Sequence, residues 1–250
     1  MDLDIAGRTG LVSGASSGIG RAIALALGRE GVRLVITARR KDQLDEVAGQ
    51  IRAEGGPPPT VVVADYLAED AAARIAEVAL AELGTVQILI NNAGGSRPFT
   101  RHTGDAQWEE ALTLNFTRHR QLTGHLLEPM IADGWGRVVN ITGKSEPDGV
   151  NGAFSAKAAL HSWAKGLSRE VGPSGITVNS VPPGRIMSEQ IERNYTPEYR
   201  QWQSDSEIPI GEYGRGEDIA NLVCFLASPL ARYITGTVIP VDGGLRRYQF

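Results

Sequence analysis

The sequence predicts an α/β fold: one doubly wound parallel sheet of about seven strands, forming a single domain over 1–250. Two observations lead to this. Short β-branched runs ending in turn residues recur along the chain, and longer stretches with apolar residues at helical spacing lie between them. Strands alternating with helices in this way imply parallel strands joined by crossovers, with both sheet faces covered.

In chain order the strand candidates are RTGLVSG, RLVIT, TVVVAD, VQILINNAG, GRVVNIT, GITVNSV and TGTVIPVDGG. The helical stretches are IGRAIALALGREG, DQLDEVAGQIRAEG, AARIAEVALAELG, a long one from Asp105 to Ile131, AFSAKAALHSWAKGLSREVG and EDIANLVCFLAS. GGPPP at 55–59 stops a helix before the third strand and marks a loop, not a domain boundary. The stretch at about 186–213 breaks the rhythm. It is polar, carries Tyr195, Tyr199 and Trp202, and falls where a substrate lid would lie above an open sheet.

Composition narrows the function classes. Hydrophobic residues make up 42% and charged residues 22%, with a formal net charge of −4. The densest basic run is Arg39-Arg40-Lys41, so neither nucleic acid nor an anionic membrane is expected as a partner. A small-molecule substrate is. The four histidines show no metal-ligand spacing and no metal is expected. Cys224 is the only cysteine and MDLDIAGRTG lacks an apolar core, which together fit a cytoplasmic protein.

The first strand runs into SGASSGIGRAIALAL, placing Gly14, Gly18 and Gly20 at a strand–turn–helix junction. Glycines there let backbone N–H groups approach a pyrophosphate, and the helix N-terminus adds favourable charge. Together with AD at 64–65, NNAG at 91–94, Asn115, Lys157, NSVPPG at 179–184 and VDGG at 241–244, this loop resembles the short-chain dehydrogenase/reductase family, 3-oxoacyl-ACP reductases included. The resemblance runs from about residue 3 to residue 244. It implies a Rossmann-type fold, a nicotinamide dinucleotide, oxidoreductase activity and a homo-tetramer or homo-dimer. The residues it places at the cofactor are Gly14, Ser16, Ser17, Gly18, Ile19 and Gly20 in the loop, then Asp65, Asn92, Ala93, Gly94 and Lys157. Pro183, Gly184, Ile186 and Ser188 follow from the Pro-Gly-x-x-x-Thr turn.

The second strand ends in Thr37-Ala38-Arg39-Arg40, with no carboxylate for the ribose hydroxyls of NAD. Arg39 and Arg40 can instead pair with the 2′-phosphate of NADP, which the sequence therefore favours.

The proton-transfer residues depart from the family. Relatives carry a Tyr-x-x-x-Lys pair on one helix face. Here Lys157 and Asn115 remain, but the tyrosine position is Ala153, or Phe154 if the helix start slips by one. The serine position at the end of the fifth strand is Gly143, preceded by Thr142. Besides Asn115 and Lys157, Thr142, Lys144 and Ser145 are candidate catalytic residues, with Glu146 and the tyrosines of the lid behind them. Three readings stay open: a reductase with a relocated proton donor, a dehydratase or carbon–carbon lyase, and a non-catalytic dinucleotide binder.

Overall fold

In a computed structural model, residues 2–96, 99–143 and 149–247 are described. Six strands build one sheet: β1 (Thr9–Ser13), β2 (Arg33–Ala38), β3 (Thr60–Val63), β4 (Ile88–Asn91), β5 (Gly136–Ile141) and β6 (Ile176–Val181). Their order is β3-β2-β1-β4-β5-β6, and every pairing is parallel. Alternation along the strands feeds two cores. Val12, Ile36, Ile90 and Val139 face one, while their neighbours Leu11, Val35, Leu89 and Val138 face the other. The first core is closed by α1 (Gly18–Arg29), α2 (Lys41–Ala53) and α9 (Gly216–Leu226). The second is closed by α3 (Ala71–Leu83), α5 (Arg118–Asp133) and α6 (Gly152–Val171).

Two expectations are corrected. The seventh run, 235–244, lies parallel to β6 but joins it only through isolated bridges, Ser180 with Val238 and Pro183 with Val241. Pro182, Pro183 and Pro240 fall in the two segments, and proline has no N–H to offer a ladder. Bonds such as Ser180 N–H to Thr237 O (2.9 Å) and Ile239 N–H to Ser180 O (2.9 Å) hold the segment without completing a strand. The Asp105–Ile131 stretch is likewise not one helix. It divides into α4 (Asp105–Leu112), a π turn (Thr113–Thr117) and α5.

The strand order reverses between β1 and β4, which places a crevice at the carboxyl ends of these two strands. The 186–213 stretch folds into two helices, α7 (Glu189–Asn194) and α8 (Pro197–Glu207), near that crevice.

Candidate active site and dinucleotide cleft

The phosphate loop is locked by backbone and short side chains. Ser13 Oγ accepts from Asn92 N (2.9 Å) and Ala93 N (3.0 Å) and donates to Ile90 O (3.2 Å). Asn92 Nδ2 donates to Ser13 O (2.9 Å) and Gly14 O (3.2 Å), so Asn92 ties the loop to β4. Gly14 has φ +66°, a conformation that side chains disfavour. A carbon added at Gly20 would stand 2.2 Å from Gly14 O, so nothing larger fits. Ser17 is the N-cap of α1 but makes no side-chain capping bond. The first N–H groups of α1 thus face the crevice uncapped, beside exposed Gly18 and half-buried Ile19, as an anion site requires. These residues fit the diphosphate of a dinucleotide.

Of the two arginines, Arg40 turns to the loop. Its Nη2 donates to Ser17 Oγ (2.8 Å) and reaches Ser16 Oγ (3.5 Å). Arg39 stays exposed at the tip of β2. Asp65, exposed past the end of β3, accepts from Leu67 N at 3.0 Å. In the 183–188 turn, Gly184 packs against Asp242 and donates to Val241 O at 2.9 Å. Ile186 is buried, and Ser188 Oγ caps α7 by accepting from Ile191 N at 3.3 Å. A cavity of about 880 Å³ opens between the phosphate loop, Ser188 and α8.

At the other end of the crevice stand Asn115, Lys157, Thr142 and Gly143. The π turn presents Asn115, which is fully buried. Its Oδ1 accepts from Gly95 N (3.1 Å), and its Nδ2 donates to Gly95 O (3.1 Å) and Ala111 O (2.9 Å). Lys157 Nζ donates to Thr142 O at 3.0 Å, and burial pushes its pKa down to about 8. Asn115 Oδ1 and Lys157 Nζ both approach Gly94, at 2.8 and 3.7 Å from a carbon added there.

Asn151 starts α6 by accepting from Phe154 N at 3.1 Å, which sets Ala153 and Phe154 in the first turn. The two residues diverge. A carbon added at Gly143 would stand 3.3 Å from Lys157 Cδ and 3.4 Å from Phe154 Cδ1, so Phe154 shares the Gly143 face with Lys157. Ala153 is buried and borders a separate cavity of about 90 Å³ with Phe99, Gln107 and Glu110.

The Thr142 carbonyl accepts from Lys157, and the Thr142 hydroxyl lies 2.7 Å from His161 Nε2. In the sequence His161 has no metal-ligand spacing and no assigned role. It stands four residues after Lys157, one turn along the same helix, and that spacing was the available signal. Burial, then the positive charges of Arg246 and Lys157, lower its pKa. The candidates Lys144, Ser145 and Glu146 lie outside the described residues.

The family is settled by comparison with known proteins. The model described as enoyl-(acyl carrier protein) reductase matches residues 14–246. The chain belongs to the short-chain dehydrogenase/reductase family. It is 35% identical over 247 residues to 3-oxoacyl-[acyl-carrier-protein] reductase FabG of Pseudomonas aeruginosa, covering 97% of this chain and 99% of that one. Among solved structures, L-sorbose reductase from Gluconobacter frateurii with NADPH and L-sorbose superposes with TM-score 0.92 at 29% identity, covering 99% and 100%. A 7α-hydroxysteroid dehydrogenase with NADH and 7-oxo glycochenodeoxycholic acid gives TM-score 0.91 at 30% identity, covering 97% and 96%.

Proposed function

We propose that the protein is an NADP(H)-dependent oxidoreductase acting on a carbonyl or hydroxyl group, or on an activated, conjugated acceptor, with a proton donor other than the family's tyrosine. When bound, the nicotinamide supplies or takes the hydride. The observation that carries this reading is the position of Lys157. It is held at the carboxyl edge of β5 by one main-chain carbonyl, beside a phenyl ring that has no hydroxyl. Redox chemistry is favoured over dehydration or a purely binding role because the similar proteins are reductases and a dehydrogenase.

Phe154 stands nearest the place the tyrosine would take, and it has no proton to give. Thr142 Oγ is paired with His161 Nε2 at 2.7 Å. Lys157, with its pKa pushed down to about 8, can release a proton near neutral pH, where a general acid is most effective. We assign it the proton donation, with Lys144 and Ser145 as the competing donors. Asn115 fixes the π turn against Gly95 and keeps Gly94 close to Lys157. Arg40 at Ser17 supports NADP over NAD. The segment at 186–213 would cover the substrate, and α4, α5 and α6 would join two or four copies.

Calorimetric titration tests the cofactor. NADPH should bind more tightly than NADH, and Arg40→Ala should narrow the gap by about 10-fold, the worth of one charge-assisted hydrogen bond. With a panel of ketones, diones and enones, NADPH consumption should fall as pH rises through the Lys157 pKa. No consumption with any acceptor refutes the oxidoreductase reading. Full activity in Lys157→Met, with loss in Lys144→Ala or Ser145→Ala, moves the donor to the loop.

A further inference from the structure

The 880 Å³ cavity has two walls of different origin. One is the phosphate loop at Ser16, Ser17 and Gly18. The other is α8, whose Pro197, Arg200, Gln201 and Ser204 recur at helical spacing and face it. Arg200 stands out in this second wall. Its Nη1 is buried and has no hydrogen-bond partner among the described residues, a costly state for a guanidinium donor.

The helix that carries Arg200 is fixed in place. Arg185, in the 183–188 turn, pairs with Glu207 at the far end of α8, with Nε 2.7 Å from Oε2. Thr196 caps the near end by accepting from Tyr199 N at 3.2 Å. Both ties hold Arg200 across from the α1 N-terminus.

The charge around the cavity is mixed. Glu46, Glu189, Glu212 and Glu217 line it together with Arg21, Arg200 and Arg215, and Arg21 is bonded to Gln50 (2.6 Å), so an anion there meets the field of four carboxylates that the guanidinium groups must offset. Arg40 is partly occupied by one of these carboxylates, with Nη1 3.9 Å from Glu189 Oε2. The uncapped N–H groups of α1 attract a diphosphate, but against that field a facing guanidinium would add charge-assisted bonds and offset the repulsion.

We propose that Arg200 clamps the diphosphate of the bound dinucleotide from the lid side, so that α8 and the phosphate loop hold it between them. The assignment rests on the dinucleotide reading above. It is made to the diphosphate and not the 2′-phosphate because Arg40 already stands beside the tip of β2.

Titration calorimetry of Arg200→Gln with NADPH, NADH and adenosine 2′-monophosphate separates the cases, since the last has the 2′-phosphate but no 5′-phosphate. NADPH and NADH should both weaken by a similar factor of about 10–100, the worth of one charge-assisted bond. The 2′-monophosphate should bind as to the wild type. Arg200→Lys should recover part of the loss, and an unchanged melting temperature without nucleotide shows that the fold is intact. If Arg200→Gln does not fold, the same three titrations on Arg200→Lys decide, again with loss for the two dinucleotides only. Unchanged affinity for all three ligands overturns the clamp, as does a loss confined to NADPH and the 2′-monophosphate. A wild-type protein that binds neither dinucleotide refutes the cofactor reading itself, a different result from a variant that binds as the wild type does.

Discussion

The two ends of the crevice are built on opposite principles. At the phosphate loop the short side chains are spent on the main chain: Ser13 Oγ makes three bonds and Asn92 Nδ2 makes two, all to main-chain atoms, while the first N–H groups of α1 are left for a ligand. Toward β5 and β6 the buried groups are less complete. Asn91 Oδ1, Asn140 Nδ2, Ser180 Oγ and His119 Nδ1 are buried with no partner among the described residues. One end is a rigid backbone cradle that tolerates almost no change. The other is a set of side chains, Thr142, Phe154, Lys157 and His161, gathered around Gly143 and the end of β5. A shared cofactor constrains the first, while the second is free to follow a different substrate.

Lys157→Met should break the comparison most sharply. It takes the charge from the nicotinamide end and leaves the phosphate loop untouched. Steady-state assays should show kcat lower by about 10²–10⁴-fold, the usual contribution of a general acid. Stability should move the other way. Burial lowers the folded pKa of Lys157 from 10.5 to about 8, so the unfolded chain binds more protons between those values and stability rises with pH across that window. Below pH 8 the penalty is present in full. The variant should therefore unfold at a higher denaturant midpoint at pH 7, by about 1–3 kcal/mol. A variant that is both inactive and less stable would show that Lys157 is held by more than the Thr142 carbonyl.

Gly20→Ala tests the other end. The added methyl would meet Gly14 O at 2.2 Å and Asn92 Nδ2 at 2.4 Å, so loop and β4 would have to separate. Overpacking of this kind costs about 1–3 kcal/mol, readable as a melting temperature lower by a few degrees. Calorimetry should show NADPH and NADH both losing affinity. Unaltered binding would mean that the cradle is softer than its saturated bonds suggest.

The same contrast explains what could be read from the sequence. The sheet, the helices of both faces and the phosphate loop were legible because periodicity and glycine spacing are backbone properties that survive divergence. The break in the long helix was not. The π turn at Thr113–Thr117 has ordinary helix-forming neighbours, and only packing around Asn115 reveals it. The sequence left Ala153 and Phe154 as alternatives because one residue of slip exchanges them. The Asn151 cap sets both in the first turn of α6, where Phe154 turns to Gly143 and Ala153 to the smaller cavity. Arg200 and His161 carried no motif at all. Their roles depend on which face of a helix meets the crevice, and that is decided by tertiary contacts.

The smallest expected effect comes from His119, at the base of the end that holds Lys157. It is buried, and its Nε2 lies 2.7 Å from Ala93 O, so that nitrogen must carry the proton and donate. Burial lowers its pKa from 6.5 to about 4. The unfolded chain therefore takes up a proton between pH 6.5 and 4 while the folded protein does not, and stability falls as pH drops through that range. The substitution His119→Gln keeps an amide donor for Ala93 O but removes the group that titrates. It should cost about 1 kcal/mol at pH 7, from looser packing against Tyr66, whose ring centre lies 5.7 Å away. Its denaturant midpoint should then fall less steeply than that of the wild type between pH 6.5 and 4, with the two curves converging. Parallel curves would mean that some other buried group governs the acid limb, and that the nicotinamide end is as pH-indifferent as the phosphate loop.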